Sequence, residues 1–377
     1  MNFMFQTRGR RFVLYILVIL AGMLISGGVM ALIGYNSNQN LPSGPQITDR
    51  MDALDKIRLA EALHLKSELG DEIWPGYAAL EAPLVIWNKD YEFLFGINNP
   101  PAGWEPVPED TFAEMAYYRR PADDPQNFAV QVGHQWAASI STKYTLDMSL
   151  ISAIKENMPP GIVEIFPYRI FILPSEFQIS AVPHEYLHVV EAEMAPDKFE
   201  AANASYAQEA RYWARDAEMR AAWKNEIELL IKAEQTLSEG DTLERVRQFL
   251  AARQQRRADF GLDADLIAYE TQIEWLEGLA KFAELRNWQL AAQNHGYVAL
   301  PEMGSDPDFK DYETFDSHWD QEISQTRHQA NVEGDVRFYY TGMLQAFLLD
   351  RLMPDWQARI MDEGVYLEDL LREAVTD

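Results

Sequence analysis

The run Val182-Pro183-His184-Glu185-Tyr186-Leu187-His188 reads H-E-x-x-H. On an α-helix, residues four apart lie one turn above each other on a single face. His184 and His188 would then aim two imidazoles at one point, as a zinc ion needs. Glu185 stands beside that point, placed to take a proton from a metal-bound water rather than to bind the metal. The chemistry such a trio performs is zinc-dependent hydrolysis of an amide bond.

The flanking residues support a helix there. Pro183 suits a first-turn position, where its missing N–H costs nothing. Tyr186, Leu187, Val189 and Val190 give the helix an apolar side to bury. The preceding segment, Ile162 to Leu173, is β-branched and aromatic and reads as a strand leading into the metal-binding helix.

A catalytic zinc takes three protein ligands plus water. Glu191 and Glu193 are the nearest further acids, but a continuous helix rises about 10 Å between His184 and Glu191. Glu191 therefore reads as an outer partner or a solvated acid. The helical stretch Ile273 to Phe282 carries Glu274 and Glu277 beside Gly278 and Ala280, small residues expected to let it approach the H-E-x-x-H helix closely. Its run Trp275-Leu276-Glu277-Gly278-Leu279-Ala280 resembles the third-ligand helix of gluzincin metallopeptidases. Through its E-G-x-A part, that resemblance implies Glu277 as the third Zn2+ ligand. Phe338-Tyr339-Tyr340-Thr341-Gly342, followed by a Leu-rich helix ending in Leu349-Asp350, is similar to the Y-x-x-G segment of gluzincin aminopeptidases. It implies a Tyr339 hydroxyl that stabilises the oxyanion, with Tyr340 as the alternate. A phenol donor fits, because a tetrahedral intermediate needs a hydrogen bond where charge develops. The resemblance implies a zincin-like catalytic module acting on a peptide or protein substrate. The chain has no G-x-M-E-N segment, the family's amino-terminus recognition strand, so endo- and exopeptidase action both stay open. His134, His295, His318 and Arg337 are further candidate electrophilic donors.

These residues need a scaffold. Ala82 to Trp87 and Tyr91 to Ile97 read as a hairpin across Asn88-Lys89-Asp90, and Phe128 to Val132 as another strand. Met51, Leu54, Ile57, Leu59 and Leu63 give residues 47–70 a helical period, with Asp49 as a candidate cap. From Glu176 onward nearly everything reads helical, including 264–292, 338–352 and 367–375. Residues 197–262 form a helical insert, interrupted near Ser238-Glu239-Gly240-Asp241, that separates the first two metal motifs and could wall the cleft. The expected class is α+β, mainly α.

Arg8, Arg10 and Arg11 precede an uncharged, mostly apolar run over 12–35, long enough for a bilayer. Residues 1–11 read as a cytoplasmic basic tail, 12–35 as a transmembrane anchor or signal peptide, 36–46 as a linker and 47–377 as the extracytoplasmic domain, periplasmic or extracellular. Cleavage after Ala31 would give a secreted form instead. The chain has no cysteine, so no disulfide supports it. With 59 acids against the basic residues that remain once the three N-terminal arginines are set aside, the exported part carries about −30. Such a body repels nucleic acid. A second reading, from another class, is an anchored envelope interaction or scaffold protein with a structural or vestigial zinc site. Glu185 separates the two, since a structural site has no use for a base beside the metal.

Overall fold

The computed structural model describes residues 34–212 and 216–376. The apolar run, up to residue 33, lies outside the described residues. Among the described residues, no helix is long and apolar enough to cross a membrane. These residues divide into two units: those up to Gln46 together with Lys143–Leu173, and those from Ile47 to Thr142 and from Pro174 onward.

The larger unit is α+β, with one six-stranded sheet and a mainly helical remainder. The strands are β1 (Leu84–Trp87), β2 (Tyr91–Phe95), β3 (Glu105–Pro106), β4 (Tyr118–Pro121), β5 (Phe128–Val132) and β6 (Gln135–Ser141), in the order β3-β4-β2-β1-β6-β5. The expected hairpin is present, with Leu84 opposite Phe95 and Trp87 opposite Glu92. Asn88 closes it, its side-chain oxygen accepting from the Asp90 and Tyr91 amides at 2.8 Å. β6 pairs parallel to β1, and the remaining pairs are antiparallel. Alternation then sorts the side chains. Leu84, Ile86, Phe93, Phe95, Ala138 and Ile140 join the main core. Val85, Leu94, Val132 and Ala137 face the other way, into a small cluster with Trp104.

Before the sheet comes α1 (Ala53–Ile73), capped by Asp52, whose carboxylate accepts from the Leu54 amide. The expected cap, Asp49, instead pairs with Arg119. After the sheet come α2 (Lys143–Glu156), α3 (Ser175–Met194), α4 (Pro196–Ser205), α5 (Ala217–Gln235), α6 (Glu239–Asp259), α7 (Ala264–Gln293), α8 (Phe315–His328), α9 (Val336–Leu352) and α10 (Leu367–Ala374).

Two local expectations are corrected. Ile162 to Leu173 is not a strand: it holds one α-turn at Pro160–Val163 and a 3-10 turn at Tyr168–Phe171. Pro167 interrupts it, Pro159, Pro160 and Pro174 flank it, and proline has no N–H for a ladder. Nor does the H-E-x-x-H helix start at Pro183. It starts at Ser175 and runs through that proline. Its N-terminus is tied down by Arg58, which grips Asp306 through two nitrogens at 2.7 and 2.9 Å, while the Ser175 hydroxyl donates to the same carboxylate at 2.6 Å.

The insert proves to be part of the core. α5 and α6 form an antiparallel pair that buries Trp223, Ile227, Leu230, Val246 and Phe249. α7, 30 residues long and capped by Asp263, is the central helix, packed against α3, α4 and α9. Gly278 does not serve the approach to α3 that its position suggested. It meets Gly342 of α9: a Cβ on Gly278 would lie 2.5 Å from the Gly342 Cα, and one on Gly342 would lie 2.4 Å from the Glu274 carbonyl oxygen. The two helices cross backbone to backbone, so neither position can carry a side chain without displacing a helix.

Candidate metal centre

The crossing of α7 with α9 and the packing of α3 on α7 bring three distant motifs together. His184 and His188 lie one turn apart on α3, ring centroids 5.2 Å from each other. Glu277 reaches them from α7, its Oε2 3.7 Å from His184 Nε2 and 3.6 Å from His188 Nε2. Two donors bound at about 2 Å to a tetrahedral ion stand about 3.4 Å apart, so these separations are close to what one zinc would impose. The ligand atoms of His184, Glu185 and His188 also lie within 4.8 Å of one another.

Each imidazole is held from behind by its own carboxylate. His188 Nδ1 lies 2.8 Å from Glu191 Oε2, and His184 Nδ1 lies 3.2 Å from Glu284 Oε2. Carboxylates on both Nδ1 atoms turn both Nε2 atoms toward Glu277, the arrangement in which a metal-ligating histidine is usually fixed. The Tyr206 hydroxyl, at the end of α4, donates to Glu277 Oε1 at 2.8 Å and leaves Oε2 to the histidines. Phe128 of β5 packs on the His188 ring at 4.5 Å, closing that side.

Electrostatics agree with a cation site. Four carboxylates surround two imidazoles, and nearly all are buried. Burial opposes a charged His184, but its hydrogen bonds to Glu277 and Glu284 outweigh that and lift it to about 9. His188 is likewise opposed by burial and raised well above its ordinary value by Glu191 and Glu277. Burial alone would raise the Glu277 carboxyl, yet the two histidines hold it far below the usual range. Burial pushes Glu185 and Glu191 up to about 7. The pocket thus favours two positive charges facing Glu277, and one divalent cation in place of two Nε2 protons satisfies the same demand. Glu185 Oε2 is buried with no hydrogen-bond partner among the described residues. The nitrogen, nitrogen and carboxylate donor set suits zinc.

Tyr339 and Tyr340 separate clearly. The Tyr339 ring lies 6.4 Å from that of His184, stacked at 26°, and burial followed by the Glu277 charge raises its pKa strongly. Tyr340 turns to Lys281, 5.9 Å from its ring centroid. The other candidate donors are placed elsewhere. His134 is exposed in the β5–β6 turn and His295 is exposed past the end of α7. His318 stacks on Trp288 at 4.2 Å and meets Phe177 edge-on. Arg337 donates to the Val332 carbonyl and lies over the Trp223 ring.

Sequence reasoning missed Glu284 and Tyr206. Glu284 lies two turns past Glu277 on the same helix, and that spacing was the one available signal. We expect Glu284→Gln to weaken zinc affinity about 10- to 100-fold, the usual cost of losing such a partner. Competition against a chromophoric chelator reads this directly, and unchanged affinity would remove Glu284 from the centre. No family model, no curated protein and no solved structure matches the chain.

Proposed function

We propose that this chain is a zinc metallopeptidase that hydrolyses peptide bonds, built on a zincin-like module of the gluzincin type. One observation carries the reading: both Nε2 atoms face Glu277 Oε2 while a separate carboxylate holds each Nδ1. His184, His188 and Glu277 would hold the metal. Bound there, zinc supplies Lewis acidity toward a water and a carbonyl oxygen. Glu185 takes the proton from the attacking water and passes it to the leaving amine nitrogen. Its burial and its raised affinity for a proton suit that exchange. The Tyr339 hydroxyl donates to the oxyanion. Tyr206 fixes which Glu277 oxygen faces the histidines. β5 is an outer strand of the sheet with Phe128 against His188, which supports an extended peptide running along that edge past the site.

The basic flank at Arg8 to Arg11 and the apolar run over 12–35 support an anchored domain facing out of the cytoplasm. The test of the metal reading is zinc content of the purified full chain beside Glu277→Ala. We expect about one zinc per wild-type chain and a large loss in the variant. A metal-replete wild-type protein without zinc would end the peptidase reading.

A further inference from the structure

The apolar stretch Ile162 to Leu173 has no ladder to explain its composition. In the smaller unit it does not bury its isoleucines. Ile162, Ile165 and Ile170 are 46%, 37% and 66% exposed, beside half-buried Phe166 and Phe171. Over these twelve residues Glu164 and Arg169 are the charged groups, in a chain of net charge −27. Isoleucines this exposed and this close in sequence cost solubility and mark a surface that something apolar covers.

The chain itself says what lies nearby. This stretch is fastened to the residues that follow the N-terminal apolar run. The Asn38 side chain donates to the Phe166 carbonyl at 2.9 Å and accepts from the Tyr168 amide at 2.9 Å. Gly34 sits so close that a Cβ there would overlap the Ile165 carbonyl oxygen. Gly34, the first described residue after that run, therefore lies directly against Ile165. If that run crosses a bilayer, as the proposed anchor requires, the isoleucines stand where it emerges. Tyr35, 57% exposed, and exposed Arg169 are residue types that settle at headgroup level.

We infer that Ile162, Ile165 and Ile170 form an interfacial membrane-docking patch that seats the smaller unit in the lipid surface around the emerging anchor. The inference rests on the anchor reading. It replaces a single-point tether with a tether plus a wedge, so this unit contacts the bilayer with a fixed side rather than swinging on the linker.

The absence of cysteine makes the test direct. Full-length protein carrying one nitroxide each at Ile162→Cys, Ile165→Cys and Ile170→Cys is reconstituted in phosphatidylethanolamine and phosphatidylglycerol vesicles. Leu237→Cys, at a 97% exposed site, serves as the aqueous reference, and Ile19→Cys reports the anchor. Collision with oxygen, which partitions into lipid, is compared with collision with a water-soluble nickel chelate. We expect an oxygen-to-nickel ratio at the three isoleucine sites at least about threefold above that at residue 237. If residue 19 reads as lipid while the three sites match residue 237, the patch is wrong and the anchor stands. If residue 19 also reads as water, both fail together. If the three sites are shielded from both reagents, protein covers them, whether residues 12–33 or a second copy, and the docking proposal is overturned.

Discussion

Replacing Glu185 by Gln leaves zinc bound and lowers kcat on a peptide substrate by about 10²- to 10⁴-fold, the range in which a positioned general base contributes. Glutamine matches the volume of the buried side chain, so α3 loses no packing. It cannot accept a proton at neutral pH, so the attacking water keeps its own. Glu185 Oε2 is buried without a hydrogen-bond partner, whereas Glu191 and Glu284 each set a carboxylate oxygen against an imidazole Nδ1, and that contact separates their role from that of Glu185. Zinc content beside turnover on a peptide mixture measures both halves of the expectation. If the variant keeps its zinc and its cellular role, the scaffold reading takes over, because that reading gives Glu185 no task. A variant that loses zinc would instead make Glu185 a ligand, which its ligand atom's distance of at most 4.8 Å from the imidazole donors permits geometrically.

The parts of this centre that were legible in the sequence are those written in local spacing. Histidines four apart need only a helix to converge, and helical periodicity over 264–292 anticipated α7 to within a residue or two. The hairpin around Asn88 was equally local. Errors came where local composition pointed one way and chain punctuation another. Ile162 to Leu173 has strand residues, but Pro167 interrupts it and prolines bound it on both sides, and its apolar side chains are not buried by a sheet. Pro183 suggested a helix start, yet tertiary ties at Ser175 and packing along the face carry the helix through it. β6 was not anticipated because Ala137-Ala138-Ser139 lacks strand character; it forms because it lies between β1 and β5. Tyr206 and Glu284 were beyond reach for another reason. Their partners are 71 and 100 positions away, and only the path of α4 and α7 decides that they meet.

Arg256→Ala is expected to destabilise the fold by about 3–5 kcal/mol, because it strips a partner from charges that water cannot reach. Arg256 is fully buried beneath Trp223, its guanidinium 3.7 Å from the ring centroid. It donates to Glu226 at 2.6 Å and to both oxygens of Glu270 at 2.6 and 3.1 Å. Arg253 continues the network with two bonds to Glu274 at 2.8 and 2.5 Å, and Arg257 links Glu270 to Glu368 of α10. Burial alone would raise the Glu270 carboxyl, but the arginines hold it far below its ordinary range. That carboxylate stays charged at neutral pH and must be met by a cation. The alanine variant leaves Glu226 and Glu270 each with one arginine fewer, and opens space under Trp223. Arg247→Ala, on an exposed stretch of the same helix, should stay within about 0.5 kcal/mol. Urea unfolding of the two variants beside wild type measures the contrast, and similar midpoints would show that the network carries no stability. Its position gives it a second consequence. Glu270 and Glu274 precede Glu277 on α7, and Thr341 of α9 donates to Glu274 at 2.5 Å, two residues after Tyr339. The arginines of the insert therefore clamp the two helices that carry Glu277 and Tyr339. Loosening that clamp should weaken zinc binding even in the fraction of Arg256→Ala that remains folded, whereas Arg247→Ala should bind as wild type does.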